Sequence, residues 1–574
     1  MDGSAFDVII IGGGITGTGV ARDCALRGLK VALVEKDDFA SGTTGTCMGL
    51  LHGGPRYLLT NPELTRISCE ESGHIQRIAP HLCFSVPFLQ VLSSPEQMEV
   101  FDKFLGVYDQ YQHLKNGKPH IRFEGQEMHR LEPSLAPGPY GGITLDEWGV
   151  NVFRLNLLNA KSASAHGARI TNHAEVTQIL KENGRVVGVE VKDLYSLTKE
   201  RLYGRLVVNA GGPWVPKIAK MAGTDFKLRP SKGVHVFLDR RITSVGLSVM
   251  AVDGRNIELL PHENTTMIGC TDTDFYGDPI EARPTFEEIE YLLEPFTTLV
   301  PQLRQARVIR SMAGVRPLLY ETGMVAEKVT RDHRVRDHEE DGVPGFITIG
   351  GGKMVIHRLM AEDTTNLICK KLGIEASCKT REIPLPGGER LLTKEEIKEM
   401  ARRYGIRVAA VNRLVSRHGT LASYILETYG NGATRCSEVC TCEPVLEAEI
   451  RYVIHEEWAR SLDDIRRRTR MGMGPCQGCG CIGKVAAILG EELGLSAEEV
   501  ALERHRFLAE RWKGKRALLD CKQAAQEEIT FMVYFAGKKD LAAPLEVWDE
   551  PWASRSTQVT NQPEAGDGRA EQPN

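Results

Sequence analysis

Phe6-Asp7-Val8-Ile9-Ile10-Ile11-Gly12-Gly13-Gly14-Ile15-Thr16-Gly17 stands near the N-terminus, and its reading decides the fold. After Asp7 the run is apolar and rich in β-branched residues, which predicts a strand buried on both faces of a parallel sheet. Gly12, Gly14 and Gly17 then form G-x-G-x-x-G. Such glycines permit a tight turn, close approach of a pyrophosphate, and close packing of the following helix on the strand. Ala21, Cys24, Ala25 and Leu26 follow at helical spacing, Gly28 can end the helix, and Lys30 to Glu35 reads as a second strand. The helix N-terminus offers unpaired N–H groups and partial positive charge to phosphates, and Glu35 is placed to accept a ribose 2′-hydroxyl. This βαβ opening fits NAD or FAD. FAD is favoured because no second such unit occurs and because Gly350-Gly351-Gly352-Lys353 opens a late helix. A helix N-terminus at a flavin's pyrimidine edge would stabilise the charge that develops there on reduction.

Further strands are expected at Leu206 to Ala210 and Phe346 to Ile349, so the dinucleotide domain is assembled from separated pieces. Several short β-rich runs between about 222 and 325 suit a sheet lying over it. At about 150 residues per domain, 574 residues predict three or four packed units. The expected division is an FAD-dependent oxidoreductase domain over 1–375, with cofactor parts at about 1–80, 150–220 and 330–375 and substrate parts at about 81–149 and 221–329. A helical region follows over 385–535, and 552–574 reads as a disordered tail. The fold class is α/β: a Rossmann-like FAD-binding domain of glutathione-reductase/D-amino-acid-oxidase type, a β-rich substrate domain, and a helical C-terminal iron-sulfur module.

Hydrophobic residues make up 42% and charged residues 26%, an ordinary globular composition that excludes disorder, collagen and coiled coil for the bulk. The 71 basic and 76 acidic side chains leave a net charge of −5 with no basic block, so no nucleic-acid partner is expected. Without a membrane-length apolar run or a signal sequence, the reading is cytoplasmic. Six of the 14 cysteines fall between Cys436 and Cys481. In a reducing compartment that clustering points to metal or iron-sulfur ligation before disulfides.

The opening run, Leu50-Leu51-His52-Gly53-Gly54-Pro55-Arg56-Tyr57, Asn209-Ala210-Gly211-Gly212-Pro213-Trp214, Ala313-Gly314-Val315-Arg316-Pro317-Leu318 and Gly351-Gly352-Lys353 together resemble the FAD-dependent glycerol-3-phosphate dehydrogenases. Arg358-Leu359-Met360-Ala361-Glu362, the segment from Cys369 to Gly373 and the C-terminal cysteines resemble the catalytic A subunits of the anaerobic type. The resemblance implies oxidation of sn-glycerol 3-phosphate to dihydroxyacetone phosphate. It also implies electron-accepting partner subunits, carrying flavin and iron-sulfur groups, that link this chain to quinone at the inner face of the cytoplasmic membrane.

A dianionic substrate with a secondary alcohol needs fixed cations and a base. The resemblance assigns Arg56, Arg316 and Lys353 to the substrate, with Tyr57 in support and Arg316 also catalytic. His52 and His235 are the candidate bases, and His52 is favoured because it shares a short loop with Arg56. Gly211, Gly351, Gly352 and Lys353 are further flavin contacts by the same resemblance. Where related subunits carry Thr and Tyr, this chain has Ile356 and His357, which puts hydroxyl contacts near the flavin in doubt. Pro55 should stiffen its loop.

Cys440-Thr441-Cys442, 33 residues, then Cys476-Gln477-Gly478-Cys479-Gly480-Cys481 resembles a bacterioferritin-associated-ferredoxin type of [2Fe-2S] domain, at about 434–490. One helix from Glu443 to Trp458 and another from Ser461 would return the chain and bring the thiols together. The four ligands are Cys440, Cys442, Cys476 and either Cys479 or, as favoured, Cys481. A four-cysteine zinc site stays open. So do an amino-acid or amine oxidase of similar fold and a flavin/iron-sulfur electron-transfer module without dehydrogenase activity.

Overall fold

The computed structural model describes residues 6–321, 331–432, 434–519 and 525. Strand Phe6–Ile11 lies inside an eight-stranded sheet, in the order His333–Asp337, Phe346–Gly351, Lys199–Asn209, Phe6–Ile11, Val31–Val34 and Arg169–Thr171. Its neighbours are both parallel, with Ile9 opposite Ala32 on one side and Val207 on the other. Val8 and Ile10 point into a cluster with helices Ile15–Leu26, Val152–Ala165 and His357–Leu372. Ile9 and Ile11 point the other way, under the antiparallel pair Ala174–Glu182 and Arg185–Asp193. Burial on both faces is why this strand is continuously apolar rather than alternating.

The second sheet has nine strands drawn from two stretches of chain, 83–150 and 228–319. Its spine is the antiparallel pair Leu228–Leu238 and Val308–Leu319, which sets Ser231 opposite Arg316 and His235 opposite Met312. Strand Cys83–Leu92 pairs antiparallel with Gly141–Val150, and that register puts Glu147 opposite Val86. The architecture is therefore a mixed sheet with helical cover, a β-rich overlay and a helical C-terminal region.

That C-terminal region contains helices Lys394–Tyr404, Val408–His418, Leu421–Tyr429, Glu447–Glu456, Leu462–Thr469, Ile482–Leu493 and Ala497–Lys515. The helix expected from Glu443 to Trp458 is shorter. Val445–Leu446 pairs with Glu438–Cys440, and the helix begins only at Glu447. Val445 and Leu446, both buried, instead form the short pairing that precedes the helix. The next helix starts as expected, with Ser461 and Asp464 forming a capping box. The expected helical continuation past 519 and the tail 552–574 lie outside the described residues, apart from residue 525. Among the described residues no helix is long and apolar enough to cross a membrane.

Candidate active site

A cavity of about 1240 Å³ is lined by residues of both sheets. Gly12, Gly14, Glu35 and Gly211 line it, and so do His52, Arg56, Tyr57, Arg316 and Lys353.

The dinucleotide turn is built by backbone constraints. Gly12 has φ +115°, and a Cβ there would lie 2.6 Å from the Ala210 carbonyl oxygen. A Cβ on Gly17 would lie 1.9 Å from the Gly12 oxygen. No other residue fits either place. Helix Ile15–Leu26 starts at Gly14, which supplies no side-chain cap, with no acid in its first turn, and Gly14, Ile15 and Thr16 line the cavity. Thr44 Oγ1 takes the Ile15 N–H at 3.0 Å, and a helix N-terminus on a cavity wall with no acid in its first turn is an anion site, which suits a pyrophosphate. Glu35 also staples the turn, accepting the Gly13 N–H at 2.5 Å and the Asp37 N–H at 2.8 Å. Burial pushes its carboxyl up to about 7. Asn156, which carries no sequence signal, donates to the Gly13 oxygen at 2.9 Å. Gly351 and Gly352 have φ +80° and +81°, with a Cβ on the first meeting the Asp332 oxygen at 2.6 Å.

The loop at 52–57, which also lines the cavity, is held from several sides. Gly54 adopts a left-handed conformation (φ +80°), and Pro55–Tyr57 form one turn of 3-10 helix with the proline first. Leu51 donates to the Trp148 carbonyl at 2.8 Å, and Lys353 Nζ donates to the His52 carbonyl at 3.4 Å. Lys353 Nζ lies 4.9 Å from the centre of the Tyr57 ring, and the Arg56 guanidinium 5.0 Å. Burial pushes Lys353 down to about 7, with Glu147 opposing. Arg316 donates from Nη2 to Cys270 Sγ at 2.9 Å and to the Thr271 carbonyl at 3.0 Å, and its Nη1 is 3.6 Å from Asp272. A Cβ on Gly233 would strike that guanidinium at 2.3 Å, so the glycine makes room for it.

His52 is one-third exposed into the cavity, with Nδ1 3.5 Å from Glu147. Burial pushes its pKa below the usual imidazole value while Glu147 pulls it up. His235 does not line the cavity. It is 3% exposed within its strand, and burial pushes it down to about 3. Ile356 and His357 do not line the cavity either: both are buried, and His357 Nδ1 meets the Met354 oxygen at 3.0 Å. The departure from related sequences thus falls in the core rather than on the cavity wall. Sequence reasoning missed Arg331, which pairs with Asp272 at 2.9 Å, and the buried Glu147, because neither sits in a local pattern.

In the C-terminal region Cys440 and Cys481 are buried, Cys442 and Cys476 are half-buried, and Cys479 is exposed. The Cys440 thiol is pulled down to about 6 by neighbouring Cys481, whose own thiol is pushed up in turn and lies 3.8 Å from the Gly478 carbonyl oxygen. Cys442 is next to Cys476. Cys479 Sγ instead accepts from Arg511 at 3.5 Å.

A Gly-rich turn under a helix N-terminus, sharing one cavity with a wall of cations and a histidine, defines a dinucleotide-dependent oxidoreductase of two-domain flavoprotein architecture. Residues 7–358 match the FAD dependent oxidoreductase family, and residues 378–500 match the C-terminal domain of alpha-glycerophosphate oxidase. The A subunit of anaerobic glycerol-3-phosphate dehydrogenase from Escherichia coli K12 is 35% identical, covering 93% of this chain and 97% of that protein. The corresponding A1 subunit from Haloferax volcanii is also 35% identical, over 92% and 90%. The FAD-complexed glycerol-3-phosphate dehydrogenase of Bacillus halodurans superposes with a TM-score of 0.74 at 26% identity, covering 91% of this chain and 97% of that one. The chain belongs to the FAD-dependent glycerol-3-phosphate dehydrogenase family, and FAD is its flavin cofactor.

Proposed function

We propose that this chain oxidises sn-glycerol 3-phosphate to dihydroxyacetone phosphate and passes the electrons through a [2Fe-2S] cluster towards a quinone-linked acceptor. The observation that carries the first part is the meeting of Arg56, Arg316 and Lys353 with His52 in the cavity that also receives the dinucleotide turn. The cations bind the phosphate and hold the substrate in line. His52, neutral at pH 7 because burial lowers its pKa, takes the C2-hydroxyl proton. The bound flavin supplies a two-electron, hydride-accepting centre. His235, buried in its strand, is the weaker candidate base. Anaerobic addition of glycerol 3-phosphate to the FAD-loaded protein is expected to bleach the flavin, whereas glycine and simple amines should not. A flavin that stays oxidised with glycerol 3-phosphate would sink the proposal, and bleaching by the amines instead would favour the oxidase alternative.

Cys440, Cys442, Cys476 and Cys481 would hold the cluster. The two thiol pairs support this ligand set, as do the glycines around them. A Cβ on Gly474 would lie 2.5 Å from Cys442 Cβ, and Gly472 and Gly478 have φ +75° and +93°. The exposure of Cys479 and its contact with Arg511 favour Cys481 as the fourth ligand. Such a cluster would let flavin- and iron-sulfur-containing partner subunits at the membrane take electrons one at a time. Cys481→Ser is expected to abolish the visible and low-temperature EPR signals of the reduced cluster, and Cys479→Ser to leave them in place. Colourless four-thiolate protein containing zinc would overturn the cluster assignment.

A further inference from the structure

The carboxylate of Glu147 is fully buried beside the cavity, and the chain surrounds it with donors. Its Oε2 accepts from Lys115 Nζ at 3.0 Å and from the Gly53 N–H at 3.0 Å. Its Oε1 accepts from the Tyr108 hydroxyl at 3.0 Å and faces His52 Nδ1 at 3.5 Å. A buried carboxylate is costly unless it is paired and hydrogen-bonded, and removing one partner leaves an uncompensated charge. A structural role, tying the turn Asp109–Lys115 and helix Pro95–Tyr108 to strand Gly141–Val150, is met by Lys115 at Oε2 and Tyr108 at Oε1. Beyond those two donors, Oε1 also faces His52 Nδ1, on the cavity side. The same carboxylate, through the Gly53 N–H, anchors the loop that carries both His52 and Arg56.

We infer that Glu147 is the positioning residue for His52, fixing the imidazole with its Nδ1–H towards the carboxylate so that Nε2 faces the substrate hydroxyl. The inference rests on the proposed role of His52 as base. An imidazole free to turn or change tautomer would offer its lone pair to the substrate only part of the time, and a carboxylate at Nδ1 removes that loss and stabilises the imidazolium that forms. Lys115 and Tyr108 keep Glu147 in place from behind. Burial alone would raise the Glu147 carboxyl, but Lys115 and then His52 hold it down at about 2, so it is charged throughout the working range.

The charged and titratable groups around His52 act in known directions. Glu147 raises its pKa, while Lys353 and Lys115 lower it. Cys69 and Tyr108 lie behind Glu147, Glu258 acts on Glu147 from strand Asn256–His262, and Arg56 and Tyr57 belong to the same loop as His52. Removing the Glu147 charge takes away the largest upward influence. The His52 pKa then falls, and the acid limb of any process that needs neutral imidazole moves to lower pH.

The test compares wild-type FAD-loaded protein with Glu147→Gln, Glu147→Asp and the double variant Glu147→Gln/Lys115→Met, which leaves no unpaired buried lysine. Two pH profiles are recorded: ethoxyformylation of His52 by diethyl pyrocarbonate, mapped by peptide mass spectrometry, and flavin reduction by glycerol 3-phosphate. Both midpoints are expected to move acidward by about one unit or more in Glu147→Gln. The shift should be smaller in the double variant, where the lowering effect of Lys115 is also lost, and Glu147→Asp should stay nearer wild type. Unchanged modification midpoints in folded Glu147→Gln and double variants would overturn the inference. Near-normal turnover by His52→Ala would instead overturn His52 as the base, and the modification profile then decides alone whether Glu147 governs that imidazole.

Discussion

Arg154→Met is expected to destabilise the protein by about 3–5 kcal/mol, because it leaves a buried carboxylate without its main partner. Arg154 rises from helix Val152–Ala165 and is fully buried. Its Nη1 and Nη2 donate to the two oxygens of Glu457 at 2.5 and 3.0 Å, and Nε donates to the Arg417 carbonyl at 3.0 Å. Glu457 is itself fully buried and touches one other cation, Lys161, at 3.5 Å. Burial would raise its carboxyl, but Arg154 and Lys161 hold it well below the usual carboxylate range. The pair therefore clamps the cofactor-side helix to the helical C-terminal region.

A carboxyl whose folded pKa is depressed contributes stability that is complete above its unfolded pKa, about 4.3 for Glu, and fades as pH falls below it. The difference between Arg154→Met and wild type should thus be full at pH 7 and shrink in acid. Replacing both partners, Arg154→Met with Glu457→Leu, should recover part of the loss, since the buried carboxylate is gone and Lys161 keeps the Tyr452 hydroxyl and the Glu456 carbonyl as acceptors. Calorimetric or denaturant unfolding of the three proteins at pH 7 decides. A loss below about 1 kcal/mol for Arg154→Met would mean that water or a rearranged Lys161 takes over the charge, a magnitude typical of an exposed pair.

The second large effect concerns turnover. Arg316→Ala is expected to lower kcat/KM for glycerol 3-phosphate by about 10²–10³-fold. Truncating one member of a desolvated charge pair costs about 2–5 kcal/mol, and each 1.36 kcal/mol is tenfold in rate. The guanidinium is already held by Cys270, Thr271, Ser231 and Asp272, so it would meet the phosphate of the proposed substrate with little ordering left to do. Arg316→Lys should restore only part of the loss, because an ammonium cannot reproduce the planar fork. FAD content should remain near normal, as the guanidinium is anchored on strand residues and on Cys270 to Asp272 rather than on the dinucleotide turn. Stopped-flow flavin reduction under anaerobic conditions measures the effect, and a loss of less than about fivefold would remove Arg316 from the phosphate site.

The cysteines show how far local reading extends. The two Cys-containing segments and the capping box at Ser461 are legible because each is fixed within a few residues. The missed start of the helix at Glu447 followed from a pairing of Val445–Leu446 with a strand several residues earlier, which helical periodicity does not report. Cys479 and Cys481 are also hard to separate by spacing. Burial distinguishes them, with Cys481 inside against Cys440 and Cys479 outside against Arg511.

The Gly-rich turn and the parallel βαβ opening that carries it were written in short-range terms. Glycines at positions where a Cβ would collide, apolar runs with two buried faces and helix ends with their caps each act over one or two turns of chain. The electrostatics of the cavity were not written that way. His52 and His235 look alike as sequence, yet one sits on a loop over the cavity and the other is 3% exposed inside strand Leu228–Leu238 and off the cavity wall, although the register with Val308–Leu319 puts it on the same sheet face as Arg316. Lys115, Glu147 and His52 come from a turn, a strand and a loop, and Arg154 and Glu457 are some 300 residues apart. Charges so separated meet only when sheets and helices pack. Burial then gives those meetings their strength, and no local pattern encodes burial between distant segments.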